Sequence, residues 1–197
     1  MRLLNSIPVF LTVFTVMYAL PSAGVVHVPL AIAQQVTPTC QGVPATIPGT
    51  PDDDVLTGTA GRDVIAALEG DDEVRGLGGN DLICGDEGLD QLFGDAGNDD
   101  IFGGDDNDLV RGGGGSDNVE GDAGNDVVRG DAGNDEMEGD TGDDRMIGGS
   151  GNDEMEGDTG SDILNSIDGV VDNDSLDGGT GTDTCSSDPD PEDDCER

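Results

Sequence analysis

Fifteen aspartates stand out by their spacing. Asp54, Asp63, Asp72, Asp81, Asp90, Asp99, Asp108, Asp117, Asp126, Asp135, Asp144, Asp153 and Asp162 recur every nine residues, and Asp174 and Asp183 resume the interval after a three-residue shift. Glutamate takes none of these places. Carboxylates at a fixed stride are ligands for a hard dication. Calcium accepts about six to eight oxygens at roughly 2.3–2.6 Å from carboxylates and backbone carbonyls. Magnesium holds its water more tightly and demands stricter octahedral geometry. Zinc calls for cysteine or histidine, which the stretch around these aspartates almost lacks. Aspartate is short enough to reach an ion from the end of a tight turn, which accounts for the missing glutamate.

The aspartates are the sixth position of a nine-residue phrase, of which Gly94-Asp95-Ala96-Gly97-Asn98-Asp99-Asp100-Ile101-Phe102 is a typical copy. Thirteen copies run from Gly49 to Asn165; Ser166-Ile167-Asp168 break the register; two further copies start at Gly169 and Gly178. A fixed internal period sets the architecture before any local reading does. The first position is glycine except at Ala67, and the fourth is glycine except at Asp52, Asp106 and Asp172. The eighth is apolar throughout, from Leu56, Ile65 and Val74 to Met137, Met146, Met155, Leu164, Leu176 and Cys185.

Such a phrase reads as a short strand around position eight, one side chain inward, followed by a chain reversal. Glycines at positions one and four supply positive φ, and asparagine at position five tolerates it next best. Two phrases make one flat coil of eighteen residues, echoed in the identical segments 133–142 and 151–160. Coils stack at roughly 4.8 Å, joined by parallel ladders, with position eight forming two facing rows of a thin core. The expected fold is all-β: a right-handed parallel β-roll. Stacking also sets carboxylate over carboxylate. Two unit charges about 5 Å apart repel by roughly 3 kcal/mol at an effective dielectric near 20, against about 1.5–3 kcal/mol for each buried aliphatic side chain. The bare coil is therefore expected to need dications between its turns.

The phrase resembles the glycine-rich nonapeptide of the RTX, or haemolysin-type, calcium-binding repeat, over residues 49–186. The resemblance implies a calcium-loaded β-roll in which each ion sits between turns two phrases apart, held by paired position-six aspartates and turn carbonyls. The copies allow about thirteen such sites, and the register break reduces this to about ten. The end copies at Gly49 and Gly169, which lack the fourth glycine, are expected to bind weakly or not at all. RTX proteins usually carry a C-terminal secretion signal, whereas this chain opens with a different one.

Residues 1–33 have the pattern of a signal peptide: basic Met1-Arg2, an apolar run from Ile7 to Leu20, and the small-x-small site Ala31-Ile32-Ala33 before Gln34. Cleavage near Ala23 and retention as a membrane anchor are the alternatives. Cleavage implies a secreted chain with no stable membrane insertion. It also removes His27, the one histidine. Residues 34–48 form a proline-rich lead-in expected to cap the first coil, and residues 187–197 an acidic tail. Asp86, Asp95, Asp122, Asp131, Asp140 and Asp158, at position two, read as solvated charges. Phe93 and Phe102, at position nine, are expected to face outward on neighbouring coils.

The net charge is −38 and the chain has no lysine, which excludes nucleic acid as a partner. Calcium ions are the expected partners. Four cysteines in an exported chain suggest two disulfides; Cys40–Cys84 and Cys185–Cys195 are favoured, with free thiols as the alternative. No His-Glu-x-x-His or Gly-x-Ser-x-Gly motif occurs, so no catalysis is expected. Two readings remain: a secreted calcium-binding β-roll that folds on its ions, and a disordered acidic calcium buffer or mineral-binding polyanion.

Overall fold

The fold is seen in a computed structural model that describes residues 37–168 and 174–187. The segment 1–33 read as a signal peptide, the expected acidic tail apart from Ser187, and with it Cys195, lie outside the described residues. Every described element is a strand, and among the described residues no helix is long and apolar enough to cross a membrane. Two eight-stranded sheets face each other, and the chain passes alternately from one to the other.

The first sheet holds β3 (Ile47–Pro48), β5 (Val64–Glu69), β7 (Leu82–Glu87), β9 (Asp100–Asp105), β11 (Asn118–Ala123), β13 (Glu136–Glu138), β15 (Glu154–Glu156) and β18 (Ser175–Asp177). The second holds β4 (Val55–Thr57), β6 (Glu73–Arg75), β8 (Gln91–Ala96), β10 (Leu109–Gly114), β12 (Val127–Ala132), β14 (Arg145–Ser150), β17 (Ile163–Asn165) and β20 (Thr184–Ser186). A hairpin of β1 (Thr39–Cys40) and β2 (Val43–Pro44) precedes them, and β16 (Thr159–Gly160) pairs with β19 (Thr180–Gly181) near the far end. All pairings within the two sheets are parallel, as in a β-roll. Partners lie eighteen residues apart, for example Val110 with Val128 and Ile101 with Val119.

Position eight builds the core. Ile65, Val74, Ile83, Leu92, Ile101, Val110, Val119, Val128, Met137, Met146, Met155 and Leu164 are fully buried in one continuous cluster. Each coil puts two such side chains between the sheets, so removal of any one leaves a gap with no second layer behind it. The methionines fill this core.

Several local readings need correction. Eight coil strands, four in each sheet, run for six residues and not only the few around position eight; β9, for instance, continues through positions one to three of the next copy. The left-handed backbone falls at positions two and four, and not at position one. At position two it is held largely by aspartate: Asp86, Asp95, Asp122, Asp131, Asp140 and Asp158 all have φ between 62° and 77°. Their column is set by a corner in the strand that aspartate and glycine tolerate best. Phe93 and Phe102 lie on opposite sheets. Phe93 sits beneath the Arg75 guanidinium, 4.8 Å from ring centroid to Cζ, while Phe102 packs beside Cys84, so they form no shared patch.

The lead-in supplies the first rung itself, because β3 pairs with β5. Its hairpin lies against β5 and β7 and is tied there by a Cys40–Cys84 disulfide, as expected. That crosslink spans 44 residues of sequence. Closing a loop of this size lowers the entropy of the unfolded chain by an amount worth about 4 kcal/mol. Cys185 is also disulfide-bonded. The inserted Ser166–Asp168 lengthens one coil: pairing shifts from eighteen to twenty-one residues, and Met146 still meets Leu164 while Met155 meets Leu176.

Candidate metal centre

The fold sorts the fifteen predicted aspartates into two rows. Asp54, Asp72, Asp90, Asp108, Asp126, Asp144, Asp162 and Asp183 lead into strands of the second sheet. Asp63, Asp81, Asp99, Asp117, Asp135, Asp153 and Asp174 lead into strands of the first. The twelve from Asp63 to Asp162 are buried, at 1–7% exposure; Asp54, Asp174 and Asp183, at the ends of the rows, are half-buried.

The two carboxylate oxygens have different surroundings. Oδ1 accepts the backbone N–H of the equivalent aspartate one coil earlier: Asp63 to Asp81 at 2.8 Å, Asp99 to Asp117 at 2.9 Å, Asp126 to Asp144 at 2.8 Å. This bond carries across the inserted residues, from Asp153 to Asp174 at 2.9 Å and from Asp162 to Asp183 at 3.0 Å. Oδ2 is the reverse. In every aspartate from Asp72 to Asp162 it is buried and has no hydrogen-bond partner. An ionised oxygen left so is costly in a folded protein, and eleven of them in two files are a donor set without its acceptor.

The space beside each Oδ2 explains the first glycine. A methyl built on Gly139 would lie 2.8 Å from Asp144 Oδ2 and 3.0 Å from the Gly157 carbonyl oxygen. One built on Gly121 would meet Asp126 Oδ2 and the Gly139 carbonyl at 2.8 and 3.1 Å. The bare Cα thus keeps open a pocket faced by a carboxylate oxygen and a carbonyl oxygen from the next coil. Position one is glycine for room, and position four for its backbone: Gly133, at φ 148°, shows the latter.

Three early turns depart from this pattern. Oδ2 of Asp54 accepts from Thr50 N and Oγ1 at 2.7 and 2.9 Å, and Oδ2 of Asp63 from Thr59 N and Oγ1 at 2.6 and 2.9 Å. At the third, Ala67 takes the glycine position, between pairs that set Ala66 against Cys84 and Leu68 against Asp86, and its side chain joins the central apolar cluster. Sequence reading missed the threonines, although both sit four residues before their aspartate.

Electrostatics follow from burial. Loss of water, reinforced by the carboxylates of neighbouring coils and opposed by the Oδ1 hydrogen bond, pushes Asp108 up to about 8 and Asp117 and Asp144 up to about 7. Asp90, Asp99 and Asp153 rise to about 6 for the same reasons, as does Asp126. Between the ordinary and the raised values the fold favours the protonated form of these groups, and a cation would compete with the proton for the same oxygens.

Position five supports the rows from outside. Its asparagines form a ladder in place of the left-handed turn expected of them: Asn98 Oδ1 accepts from Ser116 N at 3.1 Å, and Asn134 Oδ1 from Asn152 N at 3.0 Å. Away from the turns, Glu120, Glu138 and Asp140 bring one carboxylate oxygen each within 4.8 Å of one another on the first sheet.

The donor set suits a hard dication: carboxylate and carbonyl oxygens, with no sulfur or imidazole in either row. No match to a curated protein was found. The family model of the RTX calcium-binding nonapeptide repeat matches residues 48–83, 75–110, 85–119, 111–146, 129–164 and 165–189. These matches cover most of the chain and all of both aspartate rows, so the chain belongs to the RTX calcium-binding nonapeptide repeat family.

Proposed function

We propose that this chain is a secreted, non-catalytic module whose β-roll orders as calcium enters its two rows of turns. The observation that carries this reading is the file of buried, partnerless Oδ2 atoms, each from Asp81 to Asp162 beside the space at a position-one glycine. Calcium would be held by Oδ2 of Asp81, Asp90, Asp99, Asp108, Asp117, Asp126, Asp135, Asp144, Asp153 and Asp162, with position-one carbonyls completing the oxygen set. Asp54, Asp63 and Asp72, whose turns are filled otherwise, and Asp174 and Asp183 at the far end extend the hydrogen-bonded rows. When bound, the ion supplies the positive charge that the stacked carboxylates lack. A ligand that binds only the ordered coil stabilises it by mass action, so external calcium sets the ordered fraction. The leader-like residues 1–33 support export, and an extracellular module fits weak sites of roughly 0.1–1 mM. The charge of −38 turns nucleic acid away.

Isothermal titration calorimetry tests this reading. Calcium should bind at several ions per chain, and magnesium at equal concentration should give little heat. Equal binding of the two ions, or binding of neither, would contradict it.

A further inference from the structure

The first coils differ from the rest in several features that make a cation necessary, although Oδ2 of Asp72 is buried without a partner as in the later turns. Oδ2 of Asp54 and Asp63, the atom left without a partner in the later turns, is engaged by Thr50 and Thr59. Ala67 stands where the later turns have the pocket-forming glycine, and its side chain joins the central apolar cluster. Position seven, charged or polar in β9, β11, β13 and β15, is Val64 in β5 and Leu82 in β7, both buried. These two side chains join Cys40, Ala66 and Cys84 in a second apolar cluster, with Ala45, Leu68 and Phe102 packed around it. It lies on the outer face of the first sheet, because Ala66 and Cys84 neighbour the inward Ile65 and Ile83 and so point the other way. Among the described residues no later coil has an apolar layer outside the sheet in addition to the one between the sheets. The Cys40–Cys84 disulfide fastens the hairpin over that layer.

We infer that residues 39–87 form a metal-independent seed on which the calcium-dependent coils assemble, one after another, toward the C-terminus. This rests on the calcium reading above for the later coils and goes beyond it for the early ones. The cation rows then begin at Asp81, on the edge of the seed, where the pocket is completed by the Gly94 carbonyl of the next coil, and at Asp90. Starting a stack is its unfavourable step, since the first coil orders its backbone without a neighbour to pair with. A seed already closed by a disulfide and two apolar layers presents a finished strand edge on β7. Each later coil needs only its calcium and one new rung.

Hydrogen–deuterium exchange on the oxidised chain, with excess chelator and then with calcium, tests this directly. In chelator the amides of Gly49, Glu73 and Leu82, which donate to Ala66, Asp54 and Asp63, should exchange about tenfold or more slowly than those of Asn118, Val127 and Glu136. Calcium should then protect the second group. Reduction of the disulfide should abolish protection of the first group in chelator and raise the calcium concentration needed to order the second. Equal, fast exchange of both groups in chelator, followed by protection of both in calcium, would overturn the seed and leave the calcium reading intact. Protection of both groups in chelator would overturn both. A second variant, Ala67→Gly, should add one calcium to the calorimetric stoichiometry, and an unchanged stoichiometry would remove Ala67 from the seed's design.

Discussion

The backbone N–H of Asp90 donates to Oδ1 of Asp108 at 2.8 Å, one coil further on, and Oδ2 of Asp108 is left buried without a partner. One side chain thus performs two separable tasks, pairing the coils and facing the cation pocket. Asp108→Asn keeps an acceptor for Asp90 and replaces the cation-facing oxygen by an amide. It should lower the calcium stoichiometry while sparing the fold of the calcium-loaded neighbours. Asp108→Ala should do more, since it also strands a buried N–H, at about 1–3 kcal/mol. Calorimetry and thermal unfolding of the two variants in calcium check this; equal stability would show that the Oδ1 bond is idle.

Metal-free stability should fall as pH rises. The folded pKa values lie above the ordinary carboxylate value of 3.8, at about 6 for Asp90, Asp99, Asp126 and Asp153, about 7 for Asp117 and Asp144 and about 8 for Asp108. The fold therefore binds more protons than the unfolded chain above that ordinary value, so its stability is greatest below it and is lost as pH rises through the folded values. In chelator, β content by circular dichroism should be higher near pH 4 than near pH 8. Calcium competes with those protons, so its affinity should rise over the same interval with release of protons, read as a buffer-dependent heat. An affinity flat in pH would contradict the assigned oxygens.

Gly139→Ala should close one pocket. Its methyl would stand 2.8 Å from Asp144 Oδ2 and 3.0 Å from the Gly157 carbonyl, contacts tighter than carbon normally makes with oxygen. The calcium midpoint for gain of β signal should rise, with the loss of about one ion per chain. A wild-type titration curve would show that position one is not glycine for the sake of the ion.

Met137 is fully buried in a core with no second layer. Met137→Ala should lower stability in saturating calcium by about 2–5 kcal/mol, and Met137→Leu by less than about 1.5 kcal/mol. Thermal unfolding of both variants checks this.

The stacking unit was legible because two columns are nearly invariant. An apolar residue at position eight and aspartate at position six admit only a coil that brings each column to one face, and Ile101 over Ile83 and Asp117 over Asp99 follow directly. The Cys40–Cys84 pairing was legible from the number of cysteines and from the places of these two in the lead-in and an early coil. What could not be read was the use made of single atoms. Asparagine, glycine and aspartate are all enriched in left-handed turns, so composition could not distinguish Asp122, which has that backbone, from Asn125, which spends its side chain on a ladder. Nor does spacing reveal that Thr59 closes the oxygen of Asp63 while Asp95, at the same position of its copy, leaves Asp99 open. Phe93 and Phe102 were separated by coil parity: adjacent copies supply opposite sheets.

Far-ultraviolet circular dichroism of the purified chain near neutral pH, in excess chelator and then in millimolar calcium, tests the central claim most directly. Calcium should convert a spectrum dominated by disordered chain, with a minor β component from the early coils, into one of extended β-sheet, and chelator should reverse the change. An identical, fully formed β spectrum in both conditions would show that the aspartate rows are tolerated without a cation.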